Sequence, residues 1–223
     1  MQRKDPFVTG EYYHIYNRGI DKRIIFKSEA DYKRFLMLLY VSNSNTESFR
    51  LDNLINQQHK TFQEIFALNR EQQLVSIGTW CAMPNHFHLL VRQEVDGGIT
   101  KFMKKLGTAY AMYFNIKYQR QGALFGGLFK SKLIDNKDLY LKHLFAYINL
   151  NPLEIKFPDW EKKIKNSFPI MAIFLEKYQY SSYFDLIGGK RTEKDILSLK
   201  NFPAYFQEDN SFKEFINSYL IDC

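Results

Sequence analysis

The spacing of hydrophobic residues changes period several times along the chain, and each change marks an element. Residues 12–17, Tyr-Tyr-His-Ile-Tyr-Asn, are aromatic and branched and predict a strand that stops at Gly19. Ser28, followed by Glu29 and Asp31, predicts the capped start of a helix running to about 40. Residues 42–50 are rich in Ser and Asn and predict a loop, and a weaker helical pattern covers 51–69. Two strands, 74–83 and 86–92, flank Pro84-Asn85 and predict a hairpin. Asp96-Gly97-Gly98 breaks the chain, and Thr100 predicts the cap of a long helix with apolar positions at Phe102, Met103, Leu106, Ala109, Tyr110 and Tyr113. Residues 124–134 predict a strand pair or an extended loop. Asp135 or Asn136 predicts the cap of a helix over 137–150, in which Leu141, Leu144, Phe145 and Ile148 share one stripe and Pro152 ends the run. From 158 onward one or two short helices are expected to pack back on the domain.

The order is strand, helix, strand, strand, helix, strand, helix. It predicts an α+β fold in which a mostly antiparallel sheet is covered by helices. A catalytic or binding domain over 1–157 and a helical extension over 158–223 are the expected divisions.

Hydrophobic residues make up 45% of the 223, enough for a packed core, and aromatic residues 17%. Such rings fill cores, and they also stack on unpaired bases. The net charge is +7, and it is unevenly placed. Residues 193–223 carry three Lys against six acids, leaving +10 on the rest. Between Lys101 and Lys142 nine basic residues face only Asp135 and Asp138. A local excess of that size suits a polyanion such as a phosphate backbone, although a solvated basic face would show the same pattern. Two cysteines, Cys81 and Cys223, supply neither a disulfide framework nor a metal knuckle. No signal-peptide core is visible at the start and no apolar run reaches bilayer length. A cytoplasmic, nucleoid-associated setting without membrane contact is expected.

Two segments could carry chemistry. In Pro84-Asn85-His86-Phe87-His88-Leu89-Leu90, strand periodicity puts His86 and His88 on one face and Phe87 and Leu89 on the other. Paired imidazoles can ligate one divalent ion, and the same pairing also occurs as ordinary core or surface histidines. The remaining histidines, His14, His59 and His143, stand at no spacing that adds a second site. In the 137–150 helix, Tyr147 and Asn151 are one turn apart on one face, so a phenol and a carboxamide could approach the same ion. Taken alone, Tyr147 is one of 15 tyrosines.

The ordered set of motifs resembles the REP-associated tyrosine transposases, members of the single-tyrosine HUH transposase family. The set is Tyr13-His14-Ile15 with Asn17-Arg18-Gly19, Met83 to Leu90, Tyr113-Phe114-Asn115, Gly122-Ala123-Leu124-Phe125, Lys130-Ser131, Tyr147 to Pro152, and Ser181-Ser182-Tyr183. It spans most of the chain. The resemblance implies a ferredoxin-like palm with extra C-terminal helices, His86, His88 and Asn151 as ligands of Mg²⁺ or Mn²⁺, and Tyr147 as the nucleophile. It implies cleavage and rejoining of single-stranded DNA near hairpin repeats through a 5′-phosphotyrosine, by a monomer or homodimer. Arg18, Lys101, Lys104, Lys105, Lys130 and Lys132 are then candidate DNA contacts, and Lys142 a candidate for steadying the phenol or the phosphate. A hairpin-binding protein without strand transfer is the alternative. The chain departs from the family at Phe125 and Leu128, where tryptophan and arginine are usual, and 42–73 looks like an insertion.

Overall fold

The computed structural model describes residues 6–45, 50–134, 137–205 and 211–222. In chain order its main elements are β1 (Tyr12–Arg18), α1 (Glu29–Val41), α2 (Leu51–Asn56), α3 (Phe62–Phe66), β2 (Val75–Met83) and β3 (His86–Gln93). Then follow α4 (Gly98–Lys117), β4 (Lys130–Leu133), α5 (Lys137–Leu150), α6 (Leu153–Lys156), α7 (Trp160–Lys177), α8 (Tyr183–Leu186) and α9 (Ser211–Asp222). The strands form one sheet in the order β2-β3-β1-β4, antiparallel throughout. This is the split βαβ arrangement of a ferredoxin-like fold.

Strand alternation sorts the side chains into two cores. Phe87, Leu89 and Val91 join Tyr13 and Ile15 against α1 and α4, where Phe35, Leu39, Phe102 and Leu106 are buried. Leu90 points the other way, into a second core with Leu141, Leu144, Phe145 and Ile148 of α5 and with residues of α7 and α9. Burying each such side chain contributes about 1.5–3 kcal/mol. Both faces of the sheet are therefore covered, and α5 has one fixed face to rest on.

That rest is locked by polar groups. Asn149 is fully buried; its Nδ2 donates to Thr79 Oγ1 on β2 (2.7 Å) and to Phe145 O (2.8 Å). Thr79 Oγ1 lies 2.7 Å from Ser182 Oγ, which accepts from the Trp80 amide. The Ser181-Ser182-Tyr183 motif is thus a structural link between α8, β2 and α5.

Several expectations change. Helix α4 starts at Gly98, not near Thr100, because Gly97 takes a left-handed φ of 64° and turns the chain directly out of β3. A Cβ at Gly98 would stand 2.3 Å from Leu74 O, so only glycine fits there. The weak pattern over 51–69 resolves into two short helices, α2 and α3, each contributing buried residues to the first core. Residues 124–134 supply one strand, β4, and a single bridge between Gly19 and Phe125. Beyond 158 the helices are more extensive than one or two short ones: α7 alone has 18 residues and carries Pro169 inside it. The caps expected at Asp135 and Asn136 lie outside the described residues.

Candidate active site

Sheet register builds the site. Antiparallel pairing sets Tyr16 opposite His88 and Arg18 opposite His86 on one side, and Tyr16 opposite Lys130 and His14 opposite Lys132 on the other. Directly opposed residues share a face. His14, Tyr16, His86, His88, Lys130 and Lys132 therefore all stand on the α5 side of the sheet. The end of α5 closes over them, and a cavity of about 410 Å³ results, lined by His86, His88, Tyr147, Asn151, Arg18 and Glu154 among others.

Tyr147 is 42% exposed although Ala146 and Ile148 beside it are fully buried. Its ring stands edge-on to His88 at 5.6 Å and to His14 at 5.9 Å between centroids. The rings of His86 and His88 are 5.0 Å apart and almost perpendicular. Asn151 keeps its backbone bond to Tyr147 O (3.2 Å) despite preceding proline, and its Nδ2 donates to the same carbonyl at 2.6 Å. The same carboxamide also hydrogen-bonds the His86 and Tyr147 side chains.

The hydrogen bonds decide which ring nitrogens are available. Asn85 Nδ2 donates to Lys22 O, so Asn85 Oδ1 faces His86 Nδ1, at 2.6 Å, and can only accept. The His86 proton is therefore on Nδ1, and Nε2 keeps its lone pair. His88 Nδ1 lies 2.8 Å from His14 Nε2. When His88 donates there, its Nε2 is likewise a free base. A ring whose Nδ1 is held by a neighbour while Nε2 stays basic is the usual arrangement of a metal-ligating histidine. Burial, followed by the neighbouring positive charges, lowers all three rings: His14 and His86 to about 4 and His88 to about 2. For His14 the added charge is Lys132, for His86 it is Arg18. Near pH 7 they are neutral and can offer lone pairs.

The donor set of His86, His88 and Asn151 fits a divalent ion, since all three are neutral and converge on one cavity. Among the described residues no group of three or more His, Cys, Asp or Glu is arranged to hold a metal. Any ligand set here is mixed, two imidazoles with a carboxamide. The Tyr147 phenol is raised above its ordinary value by burial first and by Glu154 next, so it is protonated at rest.

The other expected contacts separate. Arg18 and Lys130 line this cavity. Lys132 lines a neighbouring one, where Lys142 also lies, its ammonium 4.8 Å from the Tyr205 ring. Lys142, a candidate for steadying the phenol or the phosphate, lies over Tyr205 and does not line the Tyr147 cavity. Lys101, Lys104 and Lys105 are on α4, against the opposite face of the sheet, and Lys101 and Lys105 bond to Asn45 and Ser44. They stand apart from the cavity. Leu128 is 69% exposed on the cavity rim, whereas Phe125 packs against Phe87 and Tyr110. His14 was missed as a site residue; only the β1–β3 register reveals it.

A four-stranded antiparallel sheet of this order, with helices on both faces, defines the class: an α+β protein of ferredoxin-like fold. A solved structure described as a REP-associated tyrosine transposase bound to a REP hairpin superposes on it with a TM-score of 0.52 and 11% identity, covering 86% of this chain and 90% of that one. No curated protein sequence matches the chain. Residues 46–151 match the family model described as "Transposase IS200 like", and the matched segment includes both the His-x-His strand and Tyr147. No helix among the described residues is long and apolar enough to cross a membrane.

Proposed function

We propose that this transposase cuts and rejoins single-stranded DNA beside hairpin repeats, with Tyr147 as nucleophile and a divalent ion held by His86, His88 and Asn151. The observation that carries the reading is the Tyr147 ring standing edge-on to His88 in a cavity shared with His86 and Asn151. Hairpin DNA as partner is suggested by the structural neighbour, which was solved with one.

In this reading the Tyr147 oxygen attacks phosphorus, and the bond from phosphorus to the preceding nucleotide's 3′-oxygen breaks. The products are a 5′-phosphotyrosine and a 3′-hydroxyl, and a different 3′-hydroxyl reverses the step without any external energy source. Bound Mg²⁺ or Mn²⁺ would neutralise charge developing on the non-bridging phosphate oxygens. The protonated phenol needs a proton acceptor. Glu154 is the one carboxylate among the described residues lining the cavity, and we assign it that task. Arg18 and Lys130, on the same rim, would hold the phosphates to either side. The division at 157, with 158–223 as an extension and 42–73 as an insertion, is kept as part of this proposal.

The test is covalent trapping. A labelled hairpin oligonucleotide with single-stranded flanks, incubated with Mn²⁺, should yield a protein–DNA adduct that Tyr147→Phe abolishes while its melting temperature stays the same. Strand cleavage that persists in Tyr147→Phe without an adduct would assign attack to water. Tight hairpin binding with no cleavage in the wild type would favour the binder over the enzyme.

A further inference from the structure

A cavity of about 660 Å³ is separate from the catalytic one. It lies between β4, α5 and α9, and Lys132, Leu139, Tyr140, Lys142, Phe215 and Tyr219 shape it. Its volume is within the roughly 300–1,000 Å³ that small-molecule sites occupy. From these residues we infer a seat for one unpaired nucleobase of the DNA strand that passes Tyr147. The inference rests on the single-stranded-DNA reading above and deepens it.

Three features of the cavity argue for a base. The walls are rings: Tyr140 and His143 stack with centroids 6.0 Å apart, and His143 Nδ1 is 2.7 Å from Tyr219 Oη, which holds that ring in place. Aromatic walls accept any base, because every base has a π-face. Leu139, 75% exposed, and Leu133, 41% exposed, add apolar surface that a base would cover. Charge is the second feature. Lys132 and Lys142 line the cavity with no carboxylate among its described lining residues, and the Lys132 ammonium is already positioned 4.5 Å over the Tyr140 ring.

Continuity is the third. A smaller cavity of about 200 Å³ shares His143 and Tyr219 with this pocket, and Tyr147 and Asn151 with the catalytic one. Leu139 to His143 lies one to two helical turns before Tyr147, roughly 6–12 Å along the axis at 1.5 Å per residue. One or two nucleotides bridge such a gap. The connecting cavity is lined by Glu154 and Glu161, which repel phosphate. Along β4, by contrast, Lys130 at the catalytic cavity and Lys132 at the pocket are two residues apart on one face. The backbone follows those two ammoniums while the base turns inward to the rings.

Binding separates this inference from cleavage when it is measured on the Tyr147→Phe protein. Fluorescein-labelled (dT)₁₂ should bind about tenfold tighter than an abasic oligomer of the same length, the size expected for one stacked base. Leu139→Trp, at an exposed position that leaves the core alone, plugs the pocket. It should weaken (dT)₁₂ about tenfold and leave the abasic oligomer unchanged. Photocrosslinking with 5-iododeoxyuridine in the same oligomer should modify the peptide holding Tyr140 or the one holding Tyr219. Equal loss on both oligomers, no loss on either, or crosslinks confined to other peptides would overturn the inference. So would a change of oligomeric state by Leu139→Trp with (dT)₁₂ binding intact, which would make the pocket a contact between copies. If the wild type forms no adduct yet the base preference and its loss are seen, the pocket stands and the cleavage reading falls.

Discussion

Two polar clusters sit on opposite faces of the same sheet, and they are finished differently. On the α1/α4 face, Asp31 is fully buried, and its carboxylate accepts from Lys117, Tyr113, Tyr118 and the Lys27 and Ser28 amides. On the α5 face, His14, His86 and His88 use one ring nitrogen each to hold their neighbours, and His86 and His88 turn the rest of their capacity toward a cavity. A buried group whose valences are all filled inside the protein stabilises it; one left with lone pairs facing open space has been shaped for something absent from the chain. Asp31 completes the capping of α1 and ties it to α4. The imidazoles do nothing comparable for any helix.

If that contrast holds, changes at the two clusters should separate stability from activity. The largest effect is expected from Asp31→Ala, which strands Lys117 and two tyrosines. Urea unfolding should show a loss of about 3 kcal/mol, at the low end for a buried pair because Lys117 keeps some water. Glu154→Gln should do the opposite, slowing adduct formation about 100-fold with no change in the urea midpoint. An unaltered rate would remove Glu154 as proton acceptor. His14→Leu takes away the partner of His88 Nδ1 and should weaken Mn²⁺ binding 10–100-fold by calorimetry, and His14→Gln, which still offers an acceptor, should recover most of it. Equal weakening by both would make His14 a packing residue.

The smallest effect is a matter of pH. Burial pushes the Asp31 carboxyl up, but the hydrogen bonds from Lys117, Tyr118, Lys27 and Tyr113 outweigh it and hold the group below its ordinary 3.8. Its folded value is therefore lower than its unfolded one. The stability it adds is complete above pH 3.8 and is lost as the pH falls from there through the folded value. Melting temperatures of wild type and Asp31→Asn should converge in acid; a constant gap down to pH 2 would contradict this.

Much of this was legible in the chain itself. The hairpin of β2 and β3 and the helix α5 follow from hydrophobic period and two prolines, local signals that packing did not override. His86 and His88 announce themselves by spacing. His14 does not, because its neighbour is 74 residues away and only strand register brings them together. Helix α7 was hidden by Pro169, which reads as a breaker yet lies inside the helix. Lys142 shows the limit of helical wheels: counted from Tyr147 it seemed a neighbour, yet five residues of rotation turn it toward Tyr205.

Asn149 anchors α5 to β2 two residues past Tyr147, through groups that no water reaches. A helix fastened that close to Tyr147 is a poor shuttle. Were a DNA end attached to Tyr147, it would remain parked at the sheet, and any exchange of strands would have to be carried out by the incoming nucleic acid travelling to it.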